Sequence, residues 1–261
     1  MKKNIPNSFD VLGNIAIVKF SDDVKKSEKI KNARNLLEEV KSVKTVLEKS
    51  EKIKGRLRTF KTNYLAGIKT KTAIYRENNC IFKFDVEKTY FSPRLSNERN
   101  EIAKQVKENE KVLVMFAGVA PYSIVISKLA KPKIVYSVEL NRMASKYALE
   151  NVRLNKLTNV KIIQGDVKKV SDRWSKEKIK FDRIVMPRPQ LKESFLKDAF
   201  KLVKKGSIIN YYDFSKDEKE IIKKIDDEAK KSRKKIKILR VKKAGDIAPY
   251  KFRWRIDFKV I

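Results

Sequence analysis

Four short apolar runs follow one another through the second part of the chain: VLVMFAG (112–118), IVYSVEL (134–140), VKIIQGD (160–166) and RIVMP (183–187). Each is continuous, rich in β-branched residues and stopped by a turn, so each reads as a buried strand. PYSIVISKLA (121–130) and the stretch from Asn141 to Asn155 read as helices between them, with another expected near 191–204. SIINYYDF (207–214), a further helix, KIKILRV (235–241) and a closing WRIDFKVI (254–261) complete the series. Apolar strands interleaved with helices imply a parallel sheet covered on both faces. The last two strands have no helix between them, so that edge should finish antiparallel.

The first ninety residues have a different rhythm. NIAIVKF (14–20) reads as a strand and KKSEKIKNARNLLEEV (25–40) as an amphipathic helix with a very basic outer face. TAIYRENNCIFKFDV (72–86) looks like two strands joined at Asn78-Asn79, residues that tolerate the positive φ of a tight turn. The expected organisation is a small α+β domain over 1–90, followed by an α/β domain over 91–261.

Histidine is absent and Cys80 is the single cysteine. That removes internal disulfides, thiolate or imidazole metal clusters, and Ser–His or Cys–His catalysis, and no dedicated metal site is expected. Proton transfer is left to carboxylates, Lys, Tyr, Arg-polarised groups or water. Sixty-four Lys and Arg against thirty-two Asp and Glu give a net charge of +32. Lys-rich surfaces of heat-adapted proteins usually carry Glu in proportion; here the excess suits a polyphosphate partner, bound with steep salt dependence. It also disfavours self-association, so a monomer is expected. No apolar run approaches a membrane span and MKKNIPNSFD lacks a signal peptide's apolar stretch, which leads to the expectation of a soluble, cytoplasmic protein with no membrane partner.

In a doubly wound sheet, ligands sit at the carboxyl ends of the strands. Those ends read FAGVAPY, VELN, GDV and MPRP. Gly118 allows close backbone approach. Glu139 is placed to accept hydrogen bonds from a ribose diol, and Asp166 to accept one from an adenine amino group. A dinucleotide site would keep a G-x-G-x-x-G run, and here Ala120 stands in the third position. Acids closing two successive strands point instead to S-adenosyl-L-methionine. The alternative is that Glu139 and Asp166 cap the helices that follow.

SFDVLGNIAIV (8–18), YFSPRLSNER (90–99), MFAGVAPYS (115–123), ELN (139–141), GDV (165–167) and INYYDF (209–214) resemble, in order, the archaeal and eukaryotic tRNA (guanine-37 N1)-methyltransferases. The resemblance implies a class I, Rossmann-like methyltransferase domain with a mostly parallel seven-stranded sheet, preceded by the small α+β domain as an RNA-binding and base-positioning unit. It implies S-adenosyl-L-methionine as methyl donor and the tRNA anticodon stem-loop, at position 37, as partner. Glu98 matches the general base that takes the N1 proton, and Arg58 an arginine that stabilises charge on O6. Tyr90, Arg94, Glu139, Asn141 and Asp166 fall at or beside methyl-donor contacts; Phe116 and Gly118 are expected to bind the donor with them, Arg99 to contact RNA, and Arg188, near the pocket mouth, to clamp a phosphate of the anticodon loop. Independently of the family, Glu98 reads as a first-turn residue attracted by a helix dipole, with Ser96 or Asn97 as the cap. Arg58 reads equally as one more solvated cation.

Two departures from the family carry expectations. Longer members have an extra N-terminal domain that touches the outer corner of the tRNA, and this chain begins at the segment equivalent to their second domain. Broad phosphate contact by the excess positive charge is the expected substitute. Most members have Asn-Leu-Pro after the fourth strand, where this chain has Pro187-Arg188-Pro189. Pro187 removes an orienting amide and leaves an apolar wall with a free carbonyl. With Glu at 139, this resembles the bifunctional archaeal branch, which also methylates C7 of the tricyclic base 4-demethylwyosine. Competing readings are a monofunctional N1-methyltransferase, a non-catalytic RNA-binding protein that kept the fold, and a methyltransferase for exocyclic amines of RNA.

Overall fold

The computed structural model describes residues 9–51, 55, 57, 59–187 and 193–261. The chain divides into two compact units, Met1–Pro93 and Arg94–Ile261.

In the first unit, β1 (Phe9–Leu12), β2 (Ile15–Val18), β3 (Thr45–Lys49) and β4 (Thr62–Gly67) form a sheet in the order β1-β2-β3-β4. β2 and β3 are parallel, and α1 (Lys26–Glu39) makes the crossover that parallel pairing requires. Its Ala33 and Leu36 are buried in a core with Val18, Val43, Val46 and Leu65. The turn between β1 and β2 needs Gly13: φ is +62°, and a Cβ there would lie 1.8 Å from the carbonyl oxygen of Ile74. β5 (Thr72–Glu77) and β6 (Cys80–Asp85) form the expected hairpin, with Asn78 and Asn79 at φ 46° and 58°. β1, β3 and β4 were not expected from the sequence.

A short 3-10 turn, Pro93–Leu95, runs from the last residue of the first unit into the second and leads to α2 (Ser96–Gln105). Then come β7 (Lys111–Met115), α3 (Pro121–Ala130), β8 (Ile134–Glu139), α4 (Arg142–Leu154), β9 (Val160–Gln164) and α5 (Val167–Lys176). β10 (Phe181–Met186), α6 (Leu196–Lys201), β11 (Val203–Ser215), α7 (Glu218–Lys231), β12 (Ile236–Ala248) and β13 (Lys251–Val260) complete it. The sheet order is β12-β13-β11-β10-β7-β8-β9. Pairing is parallel from β11 to β9 and antiparallel for β11–β13 and β13–β12, the edge read from the missing helix. The order in which successive strands are added reverses between β10 and β7, which puts the switch-point crevice beside the carboxyl end of β7. α5 was not anticipated, and α6 is shorter than the helix expected near 191–204, part of which lies outside the described residues.

The two faces of the sheet differ in chemistry. Leu113, Met115, Ile184, Met186, Ile209, Tyr211, Ile256 and Phe258 project to one side into the main apolar core. Residues alternating with them project to the other side, and there β10, β11 and β13 carry Arg183, Asn210, Arg255 and Asp257, all buried. Arg183 gives Glu110 two bonds, 2.7 Å from Nε and 3.2 Å from Nη2, and gives the Gln105 carbonyl another at 2.8 Å. A buried guanidinium is tolerable only when its donors are met in this way. Among the described residues no helix is long and apolar enough to cross a membrane.

Candidate active site

The loop between β7 and α3 turns back on itself through three left-handed residues, Phe116 (φ 58°), Gly118 (φ 59°) and Ala120 (φ 65°). Ala120 occupies the position before the first turn of α3, and Pro121 is preorganised to begin it. A left-handed alanine costs about 1–2 kcal/mol, so the surrounding structure holds this loop in a strained shape. Phe116 anchors it edge-on against Phe195, with ring centroids 4.9 Å apart.

Glu139, at the end of β8, ties this loop to the next one. Its Oε2 accepts the Gly118 N–H at 2.7 Å and its Oε1 accepts the Asn141 N–H at 2.7 Å. Capping of α4 falls to Asn141, whose Oδ1 accepts from the Met143 and Ala144 amides. The helix-cap alternative for Glu139 is therefore corrected: the acid bridges two loops. Burial pushes its carboxyl above the usual glutamate range, against the opposing effect of the backbone donors, and it has no cation partner among the described residues. Asp166 does cap its helix, accepting the Lys168 amide at 2.9 Å, so that alternative describes one of its oxygens.

A second cluster gathers around α2. The helix starts from Leu95 without a side-chain cap, so neither Ser96 nor Asn97 caps it as expected; the preceding 3-10 turn supplies the entry. Glu98 lies in its first turn, 4% exposed. Its Oε2 accepts from Arg255 Nη1 at 2.6 Å and from the Tyr212 hydroxyl at 3.0 Å, and its Oε1 from Lys242 Nζ at 2.6 Å. Lys242 also donates to Glu101 Oε1, and Arg255 Nη2 reaches Glu101 Oε2 at 3.1 Å. Arg255 Nε lies 3.3 Å from Asp257. The carboxylate of Glu98 thus points into the unit and not into bulk water.

Two tyrosines join the clusters. Tyr122, in the first turn of α3, packs its ring 6.0 Å from that of Tyr212. Its hydroxyl is buried, and burial pushes the phenol up to about 12, so it stays protonated. The strained loop, the first turn of α3, Tyr212 and Glu98 therefore form one continuous structure.

The remaining expected residues are placed as follows. Pro187 directly follows β10 and is partly exposed; Arg94 is exposed in the 3-10 turn; Tyr90 is half-buried in the first unit. Arg58 and Arg188 lie outside the described residues. Arg99, expected at an RNA contact, is corrected: it is 1% exposed and its guanidinium sits 5.9 Å over the Tyr122 ring, in the packing of α2 against α3. The sequence reading missed Glu101, Tyr122, Tyr212, Lys242 and Arg255 as site residues. The one available signal was alternation, which places Tyr212 with Asn210 and Arg255 with Asp257 on the same sheet face.

The residues fit S-adenosylmethionine: a carboxylate with no cation partner among the described residues closes β8, a second acid follows β9, and Gly118, in the loop between β7 and α3, is partly exposed. Comparison with known proteins agrees. Residues 73–239 match the TRM5/TYW2 methyltransferase domain and residues 1–70 the TYW2 N-terminal domain. The tRNA (guanine(37)-N(1))-methyltransferase Trm5b of Pyrococcus abyssi is 36% identical over 263 residues, covering 100% of this chain and 77% of its own length. The tRNA (guanine(37)-N(1))/4-demethylwyosine(37)-methyltransferase Taw22 of Nanoarchaeum equitans is 37% identical over 306 residues, covering 97% of this chain and 100% of its own. The solved complex of aTrm5 and tRNALeu superposes with a TM-score of 0.86 at 31% identity, over 98% of this chain and 73% of that one. A domain match spanning more than half of the sequence, on a sheet of this order, shows that the chain belongs to the TRM5/TYW2 methyltransferase family and has its class I fold.

Proposed function

We propose that this protein methylates N1 of guanine-37 in the anticodon loop of tRNA, and that it also methylates C7 of 4-demethylwyosine at the same position. The observation that carries this reading is Glu98: a carboxylate held inside the unit and connected by Tyr212 and Tyr122 to the strained loop after β7. N1 of guanine bears a proton and is a poor nucleophile, so a base must remove that proton as the methyl group arrives. In a chain without histidine, a carboxylate suits the task. The carbon at C7 must likewise lose a proton on substitution, and the same group serves.

Glu139, Asn141, Asp166, Phe116 and Gly118 would hold the donor at the carboxyl ends of β7, β8 and β9, and the family resemblance adds Tyr90 and Arg94 as donor contacts. When bound, S-adenosylmethionine supplies an electrophilic methyl group. Arg58 stabilises the charge that develops on O6. Pro187 offers the base an apolar wall in place of a directional amide, which suits both guanine and a bulkier tricycle; the dual activity named for the Nanoarchaeum relative supports this second substrate. The net charge of +32 favours the polyanionic substrate, and Arg188 contacts a loop phosphate. The same charge supports a monomer, and a tRNA substrate supports a cytoplasmic location.

The test is incubation of unmodified tRNA and of 4-demethylwyosine-bearing tRNA with labelled donor, followed by nucleoside mass analysis. Methyl label in both nucleosides is expected. Label in guanosine alone reduces the reading to the monofunctional one, and label in neither removes it.

A further inference from the structure

The surroundings of Glu98 raise a difficulty for any base. Arg255, Lys242 and Tyr212 already occupy its carboxylate, and a proton taken up there neutralises the charge that holds two cations in a poorly hydrated site. Stranded cations would oppose the reaction.

The geometry supplies a way out. Lys242 and Arg255 face each other directly across β12 and β13, a like-charged pair that is unfavourable by itself. Glu98 and Glu101, one helical turn apart on α2, both reach into it, and each acid contacts both cations. If Glu98 became neutral, Lys242 would keep Glu101, and Arg255 would keep Glu101 and Asp257. A carboxylate has about four acceptor positions. Among the described residues three on Glu98 are filled, two of them on Oε2, so the open one is on Oε1, which accepts from Lys242. The Lys242 side chain is also the cluster's most exposed cation, at 26% against 0% for Arg255.

We propose that Glu101 and Lys242 are positioning residues for proton removal: Lys242 holds Glu98 through Oε1 and passes its ion pair to Glu101 when Glu98 takes the substrate proton. The proton leaves N1 with its N–H bond broken and an O–H bond formed from an Oε1 lone pair, and the N–H electron pair stays on N1 of the guanine, available to bond the methyl carbon. This inference rests on the reading of Glu98 as the general base. Glu101 is suited to receive the lysine, since the Lys242 hydrogen bond, against partial burial, keeps its carboxyl below the usual glutamate range.

Single-turnover methyl transfer to a guanine-37 tRNA transcript tests the proposal, alongside tRNA affinity measured without donor and thermal unfolding. Glu101→Gln should slow the chemical step about tenfold, the usual scale for one charged contact, with tRNA affinity and unfolding temperature near wild type. Glu101→Asp should recover much of the rate. Adding Lys242→Met to Glu101→Gln should cost little further rate, because no lysine is then left stranded. Lys237→Met, on the exposed side of β12, controls for net charge. A Glu101→Gln rate within twofold of wild type, or a loss confined to tRNA affinity, overturns the proposal. So does a further, additive loss on adding Lys242→Met. Glu98→Gln separates the two levels: if it is inactive while Glu101→Gln is not, only this proposal fails, and if Glu98→Gln is active the base reading itself fails.

Discussion

Replacing Glu139 with glutamine separates a donor contact from a structural strut. The carboxylate accepts two backbone N–H groups at 2.7 Å, one from each loop that borders the donor crevice. Glutamine keeps one acceptor oxygen and turns an amide toward the other partner, so one charge-assisted bond is lost outright, and on the donor role proposed for Glu139 the ribose hydroxyls lose an anionic acceptor. At about 1.5–3 kcal/mol for such a bond, donor affinity should fall roughly tenfold to 150-fold. Stability of the donor-free protein should shift by less, about 1 kcal/mol, because glutamine also removes a desolvated charge that has no cation partner among the described residues. The pH dependence has a definite sign. With the folded-state pKa raised by burial, this group's contribution to stability is present below the unfolded value and is lost as pH rises through the raised one. Donor affinity moves oppositely: it falls as acidification protonates the acceptor, beginning above the ordinary glutamate range, and the glutamine variant should lack that dependence. Calorimetric titration with S-adenosylmethionine and urea denaturation measure the two quantities. A dissociation constant within twofold of wild type, or an affinity loss matched by equal destabilisation, would refute the assignment.

Arg183→Met should destabilise the Arg94–Ile261 unit by about 3–5 kcal/mol in urea denaturation, since it strands Glu110 and the Gln105 carbonyl. Adding Glu110→Met should recover part of the loss, and a double variant no more stable than the single one would count against the buried-pair explanation. Pro187→Asn should spare N1 methylation and depress C7 methylation in the nucleoside assay; parallel changes in both would remove the pocket argument. Affinity for tRNA should fall steeply between low and physiological salt, and a shallow slope would mean that phosphate contact is not the main source of binding.

The parallel strands were legible because each is a continuous apolar run, and the hairpin at Asn78-Asn79 because those residues accept positive φ. β1 is four residues, FDVL, with a mixed burial pattern, too short for periodicity to register. α5 hides Val167, Val170 and Trp174 among lysines and an arginine, so its apolar face does not stand out in composition. The strand-end acids could be placed from the sequence, since their position follows from local order along the chain. The retinue of Glu98 could not be read in this way. Arg255 is 157 residues away in sequence, and Lys242 is one of sixty-four Lys and Arg. Whether a cation on a strand meets water or a carboxylate depends on what packs over that face. Arg99 failed for the same reason in reverse: its neighbours along α2 are polar, yet α3 covers it.

The most direct measurement is the rate of methyl transfer by Glu98→Gln, with donor and tRNA affinities determined on the same preparation. Loss of a general base from the chemical step should slow transfer by about 10²–10⁴-fold while both affinities stay near wild type. A variant that binds both ligands and methylates guanine-37 within a few-fold of the wild-type rate would contradict the account.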